Sequence, residues 1–205
     1  MVITFIGHSC FKIVSHGASV VIDPYADGSV PGLAPVREEA DMVLCSHGHG
    51  DHGAVSSVTL SGRTDLPFTV STVAGCHDDA GGSKRGPNTI HIIDDGEFRL
   101  VHLGDQGCML TDEQYAAIGR ADCLLIPVGG FYTIDAKQAA QTAKRLDAAV
   151  TVPMHYRGEG FGFDVIGPVA DFLKYFENIE EGGSVLELEK GSVRRVVVMT
   201  PRRIC

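Results

Sequence analysis

The run Ser46-His47-Gly48-His49-Gly50-Asp51-His52 puts three imidazoles and one carboxylate within six residues, and three of the nine histidines in the chain fall there. Imidazole nitrogen and carboxylate oxygen together suit zinc, iron or manganese. His47 and His49 are two apart, so an extended backbone points them the same way. Gly48 and Gly50 are expected to let the chain bend, so that Asp51 and His52 converge on the same point. One ion rarely takes four ligands from so short a stretch without strain. The run therefore predicts two neighbouring divalent ions.

Such side chains need a scaffold, and the flanking sequence predicts one rich in strands. Residues 2–6, 10–14 and 19–22 are short, apolar and β-branched, with His16-Gly17 as a hairpin turn and Asp23-Pro24 as its end. Residues 25–37 carry loop chemistry, and 42–45 form a short strand leading into the histidine run. Residues 68–73 are a further strand, and the glycine-rich stretch 74–88 reads as a long flexible loop. Asp94-Asp95-Gly96 joins strands 89–93 and 97–102 as a hairpin. The second half alternates helices 111–118, 135–146 and 168–176 with strands 123–128, 149–153, 184–188 and 194–199. In the second helix Ala136, Ala139, Ala140 and Ala143 share a face. Hairpins first and helices later imply an α+β domain over residues 1–205, with two sheets face to face and helices outside.

His-x-His-x-Asp-His after a short strand resembles the metallo-β-lactamase superfamily. Gly7-His8-Ser9, Ile22-Asp23-Pro24, Leu103-Gly104-Asp105 and Val152-Pro153-Met154-His155-Tyr156 are similar to a branch that contains the L-ascorbate-phosphate lactonase and many uncharacterised hydrolases. The resemblance spans essentially the whole chain. It implies a four-layer αβ/βα sandwich of two mixed sheets, with two divalent ions at one edge. Zinc is expected, with Mn2+, Fe2+ or Ni2+ as alternatives. The resemblance assigns His47, His49 and a third histidine to one ion, Asp51, His52 and His155 to the other, and Asp105 as the bridge. His77 is the expected third histidine, with His102 the alternative and His91 read as structural. Asp23 is expected to hold a ligand ring in place. His8 is read as lying near the metals or as a buried structural residue, and Tyr156 as a substrate donor or a packing residue.

The implied chemistry is hydrolysis by a metal-bridging hydroxide, since such ions lower the pKa of bound water to about 7. Asp51 or Asp105 would carry the water's proton to the leaving group. A small ester, lactone, amide or phosphoester is the expected substrate. A phosphodiesterase or nuclease with the same ions is the first alternative, and a catalytically silent metal-binding regulator the second. A diiron oxidoreductase of this family would have a carboxylate where His49 stands.

Composition narrows the partners. A net charge of −9 repels nucleic acid and anionic lipid before contact, so a small-molecule substrate is expected, with a homo-oligomer possible. No apolar run approaches the roughly 20 residues of a membrane span, and the cytoplasm is the default location. Cysteines 10, 45, 76, 108, 123 and 205 show no C-x-x-C spacing and are expected to be reduced. Loops 25–37, 75–88, 129–134 and 157–164 are expected to shape the pocket, with Lys84, Arg85 and Arg157 as candidate anion contacts.

Overall fold

Strict alternation of apolar residues sets the first three strands. The computed structural model describes residues 1–204 and places β1 (Val2–Gly7), β2 (Cys10–Ser15) and β3 (Ala18–Ile22) in an antiparallel meander. Ile3, Phe5, Phe11, Ile13, Val20 and Ile22 bury their side chains on one face, because successive residues of a strand point to opposite sides. The chain then runs through β4 (Glu38–Ala40), β5 (Met42–Leu44), β6 (Val58–Leu60), β7 (Thr69–Cys76), β8 (Pro87–Asp94) and β9 (Arg99–His102). The second half supplies α1 (Asp112–Ile118), β10 (Cys123–Pro127), α2 (Ala136–Leu146), β11 (Val150–Met154), α3 (Val169–Leu173), β12 (Ile179–Glu181), β13 (Val185–Glu187) and β14 (Arg195–Val198).

Two mixed sheets result. One has the order β13-β1-β2-β3-β5, and the other β12-β14-β11-β10-β9-β8-β7. Their inner faces share one core, in which Cys123, Leu125, Val150, Val152 and Met154 meet the residues of β1 to β3. The opposite residues of the same strands, Leu124 and Ile126, face a second core with Ala139, Ala140, Ala143 and Phe172. The helices thus lie on the outer face of the seven-stranded sheet. Asp135 and Thr111 cap α2 and α1, each in a reciprocal box with a glutamine three residues on.

The arrangement is the α+β sandwich of two mixed sheets that the sequence predicts, with three local differences. The outer face of the five-stranded sheet is covered by Tyr25, Val30, Leu33 and Val36 together with the β4-β6 pair, so that layer is mostly irregular chain. The helix expected over 168–176 is helical only over Val169–Leu173. The stretch 74–88, read as a flexible loop, extends both neighbouring strands, and its remaining turn is pinned by one side chain. Asp78 accepts hydrogen bonds from the backbone N–H groups of Ala80, Gly82, Lys84 and Arg85 at 2.8–2.9 Å.

The cysteine expectation is corrected. Cys76 and Cys108 form a disulfide across 32 residues, joining the end of β7 to the segment after β9. Their spacing carries no motif, so only the fold brings them together. Cys10 and Cys123 are free and buried, and Cys45 is free and half-buried. Cys205 lies outside the described residues. Among those residues no helix is long and apolar enough to cross a membrane.

Candidate metal centre

Strand ends converge at one edge of the sandwich. β3 and β5 run parallel, with Ile22 beside Leu44, so Asp23 and Ser46 leave the sheet side by side. β9, β10 and β11 are also parallel and in register, which delivers Asp105 and His155 past their C-terminal ends, where open parallel sheets place ligands. His77 follows β7 directly, and His8 sits in the turn between β1 and β2. The peptide N–H of His155 donates to the His8 carbonyl at 3.0 Å, tying one sheet's edge to the other.

Asp105 is the hub. Its Oδ2 lies 3.2 Å from His52 Nε2, 3.5 Å from His77 Nε2 and 3.1 Å from His155 Nε2. Three groups of ligand atoms lie within 4.8 Å of one another: His47, His49 and His77; His8, Asp51, His52 and His155; and His47, His52 and Asp105. The seven residues singled out in the sequence are therefore together, and His8 joins them. His8 Nε2 is 3.4 Å from Asp51 Oδ2, and its ring packs against His155 with centroids 4.1 Å apart. The sequence supports two readings of His8, because a Gly-His-Ser turn does not reveal which way its ring points.

The donors fit divalent cations. Nε2 of His47, His52 and His155, both ring nitrogens of His8, and Oδ1 of Asp105 are buried without hydrogen-bond partners. Each such group costs about 1–3 kcal/mol when unsatisfied, and converging orphans of this kind are what bound cations relieve.

The ring orientations have a cause. Asp23, fully buried, accepts from the Ser46 N–H at 2.6 Å on Oδ1. Its Oδ2 accepts from the Ser46 hydroxyl at 2.7 Å and from His52 Nδ1–H at 2.8 Å. The Ser46 hydroxyl has one proton and gives it to Asp23, so Ser46 Oγ accepts from His47 Nδ1–H at 2.9 Å. One carboxylate thus fixes both rings with Nε2 free. His77 is oriented in the same sense by donating from Nδ1 to the Tyr132 carbonyl at 3.2 Å.

Charge follows from this packing. Burial alone would push His52 down, but the carboxylates of Asp105 and Asp23 raise it well above the ordinary histidine value. Burial would raise Asp105, yet His155 and His52 hold it well below the carboxylate range. Burial lowers His8 to about 4, helped by His155, and lowers His47 to about 4, helped by His52. Asp51 is held low by His8 and His52 against its burial.

The other candidates separate. His102 Nε2 donates to the Ser9 carbonyl at 2.9 Å, and its Nδ1 accepts from the Gly104 N–H. With both nitrogens used, it is a structural residue. His91 donates from Nε2 to the Cys45 carbonyl at 3.0 Å. Tyr156 is buried and its hydroxyl faces the Met199 carbonyl, so it packs and does not reach the pocket. Gly48 and Gly50 have neither positive φ nor a neighbour that a Cβ would strike. The bend ascribed to them comes instead from the peptide N–H groups of His52 and Gly53, which close onto the His49 carbonyl.

Two other glycines do matter. Gly104 has φ +56°, and a Cβ there would sit 2.3 Å from Asn88 Oδ1, the atom that receives the Asp105 N–H at 2.9 Å. A Cβ on Gly107 would lie 2.3 Å from the Asp78 nitrogen and 2.5 Å from the His77 carbonyl carbon. His8, Asp23 and His155 adopt φ of 56°, 51° and 53°, a left-handed region that costs non-glycine residues about 1–2 kcal/mol each.

Residues 2–155 match the family described as Beta-lactamase superfamily domain. The chain belongs to the metallo-β-lactamase superfamily. Within it, a metal-dependent hydrolase of Thermoplasma volcanium is 30% identical over 82% of this chain and 86% of its own length. Another from Carboxydothermus hydrogenoformans is 28% identical over 76% and 84%. A crystal structure from Thermotoga maritima, of a superfamily member described as a Zn-dependent hydrolase, aligns over 97% of both chains with TM-score 0.77 and 36% identity. In the present chain the donors open onto a cavity of about 400 Å3. Ser29, Arg85, Tyr132 and Phe163 line it, one from each of the four loops named from the sequence. Lys84 instead pairs with Asp79 at 2.6 Å, and neither it nor Arg157 lines the cavity.

Proposed function

We propose that this protein is a metal-dependent hydrolase with a two-ion centre acting on a small ester, lactone, amide or phosphoester. The observation that carries it is the Asp105 hub, one carboxylate oxygen within 3.5 Å of three histidine Nε2 atoms beside a half-buried second carboxylate, Asp51. His47, His49 and His77 would hold one ion, and Asp51, His52 and His155 the other, with Asp105 between them. When bound, two such ions, of which zinc suits these donors, activate water near neutral pH and polarise the scissile bond.

The protein's own groups do the rest. Asp51 lines the cavity and is the group placed to take a proton from the attacking water and return it to the leaving group. His8 Nε2 lies 3.4 Å from Asp51 Oδ2, beside that carboxylate. Tyr132 and Phe163 wall the cavity, with their rings edge-on to His155 and His8. The cavity volume suits a drug-sized or smaller ligand.

The test is metal content together with hydrolysis of chromogenic ester, lactone, thioester and phosphodiester substrates. Turnover of at least one class, abolished by chelation and restored by zinc, is expected. His49→Ala should lower bound zinc, and unchanged zinc content in that variant would remove the ligand assignment.

A further inference from the structure

Among the described residues, Arg85 is the one lysine or arginine lining the metal cavity. No carboxylate among them lies within 4.0 Å of its guanidinium, whereas each of its two aromatic neighbours does pack on it. The guanidinium carbon is 5.2 Å from the Tyr132 ring centroid and 6.0 Å from that of Phe131. Cation–π contact of this kind steadies the guanidinium without using its N–H groups. The backbone beneath is fixed as well, since the Arg85 N–H is one of four that Asp78 gathers. A preorganised, unpaired cation is unusual on a chain of net charge −9, where an arginine readily finds a carboxylate.

We propose that the substrate carries an anionic oxygen group, a carboxylate or a phosphate, next to its scissile bond, and that Arg85 receives it. The inference rests on the hydrolase reading and narrows its substrate class. The ions would face the scissile bond from the His49 and Asp51 side of the cavity, while Arg85 would hold the anion and Phe163 offers apolar wall. Planar, paired N–H donors match carboxylate and phosphate oxygens better than a lysine would. Arg85 also offsets locally the repulsion that a chain of net charge −9 exerts on an anion.

Two measurements on the zinc-loaded protein test this. The first compares kcat/KM for mono-4-nitrophenyl succinate and 4-nitrophenyl butyrate, which share a leaving group and differ by one carboxylate. The wild type should favour the succinate ester. Arg85→Met should cut that ratio roughly tenfold or more, the size of one lost charge-assisted hydrogen bond, and Arg85→Lys should recover part of it. The second titrates succinate and inorganic phosphate calorimetrically, with zinc content and melting temperature confirming that each variant is folded and loaded. Affinity for at least one anion should fall roughly tenfold in Arg85→Met, and the anion affected names the group recognised. Equal affinities for both anions in wild type and Arg85→Met would overturn the proposal, even if both esters are cleaved. Arg85-dependent anion binding without any ester cleavage would sustain Arg85 as an anion site and count against the hydrolase reading.

Discussion

Asp23→Asn should disable the centre without touching a metal ligand. Asparagine keeps the shape of aspartate and tolerates the left-handed backbone that position 23 adopts, so the substitution isolates the hydrogen bonding. In this variant the side-chain Oδ1 still accepts the Ser46 N–H. The amide nitrogen now stands where Oδ2 stood, and it must donate. It can satisfy His52 Nδ1 only if that ring carries its proton on Nε2. It can satisfy Ser46 only as an acceptor, which turns the serine hydroxyl towards His47 Nδ1 and moves that ring's proton to Nε2 as well. Both rings would then aim N–H bonds at the cations. Losing such an outer partner typically costs a site about 10–100-fold in metal affinity, or about 1.4–2.7 kcal/mol, and here the loss would reach both of the proposed ions. Competition against a chromogenic zinc chelator would measure it, and 15N shifts of the histidine rings would read the tautomers. Ser46→Ala should weaken only the ion bound by His47. Wild-type affinity in Asp23→Asn, with His47 and His52 still protonated on Nδ1, would refute the relay.

Three further outcomes follow from the same geometry. Gly107→Ala should lower stability by about 1–3 kcal/mol and displace His77, seen as a lower urea midpoint and weaker binding of one zinc ion; an unchanged midpoint would mean the contact relaxes freely. Reducing Cys76–Cys108 should cost about 3–4 kcal/mol for a closed loop of 32 residues, measured by unfolding with and without a phosphine reductant. In EDTA-treated protein, stability should pass through a maximum around neutral pH. Below that, the unfolded chain protonates histidines that burial holds down in the fold (His8 and His47 to about 4, His77 and His102 also lowered), so stability falls with pH. Asp23 and Asp105, depressed in the fold, add to the loss once pH drops through the carboxylate range. His52, raised in the fold, contributes fully below its unfolded value and loses that contribution as pH climbs through its folded value. Urea unfolding across pH 4–9 would show the peak, and equal stability at pH 5 and pH 7 would contradict it.

The sandwich was legible because burial writes a period into a strand or helix. Val20 and Ile22 on one face and Val21 on the other need no partner to be read. The four ligands of the histidine run were legible because they are adjacent in sequence. What escaped depends on contacts between distant segments. Nothing around Cys76 and Cys108 signals a pair, since their meeting depends on how β7 and the segment after β9 lie. Asp78 looks like one more polar residue in a glycine-rich stretch, yet its carboxylate turns the stretch into a fixed turn. Gly48 and Gly50 attracted a role that their neighbours do not require, whereas Gly104 and Gly107, unremarkable in sequence, sit where backbones and side chains nearly touch. The resemblance set out at the start supplied His77, Asp105 and His155, and the geometry brings those three together. The linking role of Ser46 between Asp23 and His47 came from neither.

The left-handed backbones at His8, Asp23 and His155 have a bearing on how this protein can be improved. All three would be relaxed by glycine. A library selected for heat resistance alone would therefore gain at these positions by discarding two histidines of the ligand cluster and the carboxylate that orients its rings. Selection for survival and selection for turnover pull apart there. Thermostabilised variants that keep turnover should carry their gains elsewhere, with residues 8, 23 and 155 unchanged.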